Sequence, residues 1–315
     1  MIPKQKIKSI IKKSGLISFY YAKQQHFRSL YQALLLRLSP VLFIKNRYRG
    51  FYGKEVNFEQ PQTFDEKLLW LMLFWKHPLK TYCGDKFTMR QYVQEHGLGH
   101  ILPELLGVYE NVEEIKFDEL PAKFALKCTH GCGYNIICND KDGLDKSAAR
   151  KQLDQWMKID FSRKFGELHY ASMKPRIISE RFLDDLEREI PIDYKLYCFS
   201  GKVHCTLIVQ GRGKPGQPAL FDYYDRDWKV KLPYSHSTIK GNRVVSKPEA
   251  YDEMLAAAEI LSKPFPFVRM DFYSIEGKAI LGEMTFTPSG CIDRGYTELC
   301  QLMLGSLIEL PQPYN

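Results

Sequence analysis

The amino-acid sequence predicts an α+β fold from three observations: amphipathic helical stretches alternate with short strand pairs that read as β-hairpins, no βαβ unit recurs, and no internal repeat is visible. Residues 4 to 39 are expected to be mostly helix, with Ile7, Ile10 and Ile11 and then Leu30, Leu34, Leu35 and Leu38 at three- and four-residue spacing, closed by Pro40. A second helix follows Asn57 to Thr63, where Thr63 and Glu66 make a capping box ahead of EKLLWLMLFW. A third begins near Asp85 and runs through MRQYVQEHG. From residue 124 strands take over: FALKCTH and YNIICND flank a glycine-rich tip as one hairpin. The helix SAARKQLDQWMKI then starts after Asp145 as its N-cap. The strand RIISERF follows, then the hairpin YKLYCFSGKVHCTLIV with Gly201 in its turn, then the helix EAYDEMLAAAEILSK. FVRMDFY and AILGEMTF close the set as a hairpin around Glu276, Gly277 and Lys278.

Composition sets outer bounds on function. Hydrophobic residues make up 44% and charged residues 26% of the 315, ordinary values for a globular chain. The net charge of +8 is unevenly spread, because residues 1 to 50 hold seven Lys, four Arg and no acid, leaving the rest of the chain at −3. That distribution argues against a nucleic-acid binder, which spreads its basic residues over the face that tracks phosphates. Eight cysteines without a CxxC pair or zinc-ligand spacing fit a reduced, cytoplasmic setting. No secretory signal is expected, and the longest apolar stretch, ALLLRLSPVLFI, is broken by Arg37 and Pro40 and too short to span a bilayer.

The closing hairpin carries the strongest chemical signal. A three-residue loop at 276 to 278 places Asp271 opposite Glu283 and Arg269 opposite Thr285. Two like charges on facing strand positions repel, so a divalent cation is expected to neutralise them, and removing either charge should relieve the metal-free protein. A register offset by one residue would instead send the acids to opposite faces. Lys127 precedes THGCGYN, where Gly131 and Gly133 would let backbone N–H groups approach phosphate oxygens, although a plain hairpin turn explains the same glycines and His130 reads as a loop residue. Lys86 follows Asp85 at a helix start, and Glu180, Arg181, Phe182 and Leu183 sit where a strand leaves for a loop.

In their order along the chain these features resemble the ATP-grasp superfamily, D-alanine:D-alanine ligase included, and more closely its teichuronopeptide biosynthesis (TupA-like) branch. The resemblance lies in TFDEKLLWLMLFWKHPLKTYCGDKF, LPAKFALKCTHGCGYNIIC, KPRIISERFL, DYKLYCFSGK, PFPFVRMDF and GEMTFTPSG, spread over roughly residues 45 to 310. It implies a two-lobed fold with ATP between two α+β subdomains, at 81–180 and 181–310, behind a helical basic extension at 1–80. By the same resemblance Lys86 and Lys127 would contact phosphates under the tip formed by His130, Gly131 and Gly133. Backbone groups of Arg181 and Leu183, with Glu180 beside them, would hold adenine, and Asp193 the ribose. Asp271, Glu283 and Thr285 would face Mg²⁺, Thr285 standing where many such ligases have Asn, and Arg269 would stabilise charge in the transition state.

The activity this implies is ATP-dependent joining of a carboxylate to an amine in capsule, O-antigen or teichuronic-type polysaccharide synthesis, with a glycan or uronic acid as the carboxylate. A glycosyltransferase of the same pathway and a non-catalytic scaffold on the same fold are the alternatives. Residues 1–40 are expected to touch the inner membrane peripherally from the cytoplasmic face.

Overall fold

The computed structural model describes residues 30–184, 191–210, 219–236, 239–241 and 244–314, so most of the helix expected over 4–39 lies outside the described residues. The chain divides into two compact units, Met1–Val56 and Asn57–Asn315. Residues 57–80, grouped by sequence with the basic extension, fall within the second.

In the first unit, residues 30–38 are helical (α1) and Pro40–Tyr52 forms α2. Pro40 was expected only to close a helix, but it also opens one. The residue before a proline avoids helical backbone, so α1 stops at Ser39, while proline's fixed φ and missing N–H suit the first turn of α2. The Ser39 hydroxyl accepts from the Leu42 N–H, and α2 buries Phe43, Ile44 and Tyr48. Among the described residues no helix is long and apolar enough to cross a membrane.

The second unit opens with α3 (Phe64–Phe74), whose capping box forms as expected. The Glu66 carboxylate also accepts N–H groups from Asn57 and Gln62, at 3.4 and 3.1 Å, which fixes the entry of the chain. Helices α4 (Pro78–Gly84) and α5 (Thr88–Glu95) follow. A four-stranded antiparallel sheet is then built from β1 (Leu105–Tyr109), β2 (Phe124–Cys128), β3 (Asn135–Cys138) and, after α6 (Lys146–Met157) and α7 (Ser162–Phe165), β4 (Ile177–Arg181), in the order β1-β4-β2-β3. Phe124, Leu126, Leu153 and Ile177 form its fully buried core.

A second antiparallel sheet has the order β10-β9-β5-β6-β7-β8. Its strands are β5 (Asp193–Phe199), β6 (Lys202–Gln210), β7 (Leu220–Asp225), β8 (Lys231–Leu232) and, after α8 (Tyr251–Leu261), β9 (Val268–Ile275) and β10 (Lys278–Thr285). Helix α9 (Glu298–Ser306) ends the order. Side chains alternate across this sheet. The fully buried Leu196, Ile208, Met270 and Phe272 lie on the face covered by α8, and the intervening residues form the other face. The α+β class expected from the sequence is the observed one.

The β9–β10 register is the expected one by a different route. The loop is two residues, Glu276 and Gly277, both at positive φ (51° and 73°), the backbone of a tight hairpin turn that follows strand twist. Lys278 therefore pairs with Ile275 inside the ladder. A bulge at Gly282 then shifts the register by one, so that Glu283 faces Asp271 and Thr285 faces Arg269.

Candidate active site

The face of the six-stranded sheet away from α8 is the floor of a cavity of about 1180 Å³. Three cross-strand rows make the floor: Thr285, Arg269 and Tyr197; then Glu283, Asp271, Lys195, Leu207 and Tyr223; then Tyr273, Asp193, Val209 and Phe221. The half over β10, β9 and β5 is charged. The half over β6 and β7 is apolar or aromatic.

Asp271 is the centre of the charged half. It is 3% exposed, and its oxygens accept from Arg269 Nε and Nη2, both at 2.6 Å, and from Lys195 Nζ at 2.5 Å. Burial alone would push the carboxyl up, but the Arg269 guanidinium and Lys195 ammonium outweigh it and hold Asp271 below the ordinary carboxylate range. The expectation that a metal must neutralise the Asp271–Glu283 pair is therefore corrected: β5 supplies a lysine directly opposite Asp271, and Arg269 folds back onto it. Glu283 keeps a more open position, its side chain 31% exposed, with Lys86 Nζ at 3.8 Å and Arg269 at 4.0 Å. Thr285 Oγ1 donates to Glu283 at 3.3 Å and accepts from Arg269 at 3.4 Å. Asp193 begins β5, 3.6 Å from Lys195 Nζ and hydrogen-bonded to Tyr273.

From the other sheet, Lys127 and the hairpin tip line the same cavity. Lys127 Nζ lies 2.6 Å from Glu180 Oε2, and Arg90 from α5 holds the other oxygen at 2.8 Å. Glu180 is thus a buried anchor of Lys127, and neither it nor Arg90 lines the cavity. Lys86 Nζ donates to the Gly131 carbonyl at 2.6 Å, which ties the tip to the β10 side through Glu283. Gly133 needs its φ of 79° to turn the tip, where it and Cys132 line the cavity. His130 stands behind the tip, its Nε2 against the Trp156 carbonyl at 3.2 Å, and burial holds its imidazole below the usual value. Tyr134, stacked on Trp156, anchors the hairpin base. Arg181, Phe182 and Leu183 line the cavity, but the Arg181 N–H is donated to the Glu104 carbonyl at 2.9 Å and its side chain pairs with Glu104, so any nucleotide edge is left to the segment's other backbone groups.

Three features went unseen in the sequence. Lys195 was hidden in an apolar run, and its only signal is the alternation of Asp193, Lys195 and Tyr197 on one side of β5. The buried Thr287 hydroxyl donates to Glu167 at 2.5 Å, joining segments 120 residues apart that no local pattern connects. At the rim, Ser289, Gly290 and Cys291 are consecutively left-handed (φ 52°, 62° and 65°), a conformation that Ser and Cys do not advertise. The same rim is held from α3, where buried Asp65 accepts the Asp293 N–H at 3.1 Å.

Among the described residues no group of three His, Cys, Asp or Glu could hold a metal ion. A Mg²⁺ that arrives with nucleotide phosphates needs only one or two carboxylates. Glu283, with Asp271 opposite it, fits that smaller donor set.

Among solved structures the chain is similar to D-alanine–D-alanine ligase from Bacillus anthracis complexed with ATP, at 13% identity and a TM-score of 0.40, covering 65% of this chain and 55% of that one. It is also similar to D-cycloserine synthetase DcsG (14%, TM-score 0.43, 73% of this chain and 70% of that one) and to ATP-grasp ligase PsnB complexed with minimal precursor, Mg and ADP (13%, TM-score 0.40, 78% and 65%). The chain thus spans a little over half the length of the D-alanine ligase it matches. No curated protein matches it. The profile that does match, over residues 66–309, is described as TupA-like ATP-grasp, and the chain belongs to that family.

Proposed function

We propose that the protein is an ATP- and Mg²⁺-dependent carboxylate–amine ligase that works through an acyl phosphate, joining a glycan or uronic acid carboxylate to an amine in cell-surface polysaccharide synthesis. One observation carries the reading: Lys86 and Lys127 from one side and Lys195 and Arg269 from the other converge with Glu283 on a single cavity. Four cations around one acidic pair suit a polyphosphate. Membership of an ATP-grasp family supports ATP as that polyphosphate. The polysaccharide assignment rests on the resemblance of the ordered motifs to the teichuronopeptide branch.

In this mechanism Lys86 and Lys127 bind phosphate oxygens, and the glycine tip over them supplies backbone N–H groups and excludes water. A carboxylate oxygen of the substrate attacks the γ-phosphorus, the bond to the bridging oxygen breaks, and ADP and an acyl phosphate result. The amine then attacks the acyl carbon, and phosphate leaves carrying an oxygen of the original carboxylate. Arg269 stabilises the charge that develops at the reacting centre. Mg²⁺, when bound, supplies charge neutralisation between phosphates, and Glu283 and Asp271 are the residues that would hold it.

A screen for ADP release against uronic acids and amino acids tests the activity, with hydroxylamine in place of the amine to trap a hydroxamate. Heavy oxygen from the carboxylate should appear in the released phosphate. A stable phosphorylated hydroxyl without hydroxamate would make the protein a kinase, nucleotide-sugar turnover without ATP would make it a glycosyltransferase, and no thermal shift with any nucleotide would leave a scaffold.

A further inference from the structure

Helix α1 has leucines on opposite sides. Leu36 is buried, whereas Leu30, Leu34 and Leu38 are 53%, 55% and 73% exposed. Steps of four residues keep these three within one arc of the helix surface, and Leu36, two residues from Leu34 and from Leu38, falls roughly opposite. A helix with one face in a protein and the other in water carries polar residues outward. Here the outward face carries a leucine ridge, and Leu42 in α2 at 52% and neighbouring Tyr31 are exposed as well.

The ridge lies in a segment of one sign of charge, since residues 1–50 contain eleven basic residues and no acidic ones. A nucleic acid would use the charge but not the leucines. A second copy of this chain would use the leucines but set two strongly basic segments against each other. A bilayer surface rich in anionic headgroups uses both, because the leucines enter the acyl boundary while Lys and Arg lie among the headgroups.

We propose that the leucine ridge of residues 30–38 docks the protein on an anionic lipid surface, lying in the interface without spanning it. The proposal does not depend on the ligase reading.

Sedimentation of the full chain with vesicles tests it, using phosphatidylcholine alone and phosphatidylcholine with about one part in three phosphatidylglycerol, at low and high salt. Binding should favour the anionic vesicles and weaken with salt, and the Leu34→Gln/Leu38→Gln variant should bind at least about tenfold more weakly. Its melting temperature should not change, since both side chains already lie in water. Equal binding by the variant, equal binding to neutral vesicles, or no binding at low salt overturns the proposal. So does a lipid-free dimer that dissociates in the double variant, which would assign the ridge to a second copy.

Discussion

Glu180 in the four-stranded sheet and Asp271 in the six-stranded sheet are both almost fully buried, and each is held by two cations. The pairs differ in where those cations face. Of the two on Glu180, only Lys127 lines the cavity; Arg90 lies outside it and also donates to the Pro103 carbonyl at 2.6 Å. Both cations on Asp271 line the cavity. An anionic ligand can therefore reach only one of the two cations on Glu180, which stays paired with Arg90, whereas both cations on Asp271 are within reach of such a ligand, and only drawing both away would free its oxygens. One cluster is an anchor with a working arm. The other presents both of its cations to the cavity.

The largest expected effect breaks the second cluster. Asp271→Asn removes the one buried charge that Arg269 and Lys195 share, leaving Lys195 with Asp193 at 3.6 Å and Arg269 with Thr285 at 3.4 Å and Glu283 at 4.0 Å, and urea unfolding should show a loss of about 3 to 5 kcal/mol. Because the folded Asp271 carboxyl lies below its ordinary range, its contribution is present above the unfolded value of about 4 and is lost only as pH falls through the lower folded one. The stability gap between wild type and variant should stay flat from neutral pH down to about 4 and close below it. Unchanged stability at neutral pH would mean that the two cations do not depend on Asp271.

Glu180→Gln should cost less, about 1 to 3 kcal/mol, because Lys127 can turn into the cavity and Arg90 keeps the Pro103 carbonyl. A loss as large as that of Asp271→Asn would erase the distinction between the clusters. Gly282→Ala probes the bulge that aligns Glu283 with Asp271: an added Cβ would meet the Tyr273 ring at 3.0 Å and the Asp271 carbonyl at 3.3 Å. A stability loss of about 1 kcal/mol is expected, with a larger proportional drop in Mg²⁺-dependent nucleotide binding. Smallest of all, Glu283→Gln should change apo stability by no more than about 0.5 kcal/mol, since its ion contacts are long and partly solvated. Mg²⁺-dependent ADP formation should nevertheless vanish, and full turnover would remove Glu283 from the proposed metal site.

What the sequence made legible followed from local rules. The Thr63–Glu66 capping box, the Asp145 N-cap and the hairpins around Gly133 and Gly201 are decided by residues within one or two turns of each other. The Asp271–Glu283 pairing was legible in outcome and not in route, since a loop one residue shorter and a bulge one residue longer cancel. Illegible features depended on distance or on untypical residues: Lys195 meets Asp271 across a strand pair 76 residues apart, and Ser289 and Cys291 adopt a backbone usually left to glycine or asparagine. His130 looked like part of the phosphate loop because it adjoins the glycines, yet its ring packs backward against the Trp156 carbonyl.

The latch between α3 and the C-terminal part of the chain sets a timetable for biosynthesis. The Asp65 N–H is donated to Gln301, Lys67 Nζ to the Ile308 carbonyl, and Gly305 packs so closely on the Gln62 carbonyl that a Cβ there would lie at 2.2 Å. These partners lie 236 and 241 residues downstream in the first two cases. At translation rates of roughly 5 to 20 residues per second, α3 waits on the order of ten to fifty seconds for them. Through that interval Phe64, Leu68, Leu69 and Met72, all fully buried at the end, have no finished site to enter. The nascent chain therefore carries these side chains without their final partners until residues 301 to 308 emerge, and slowed translation between residues 80 and 300 should lower the yield of folded protein more than slowed translation before residue 60.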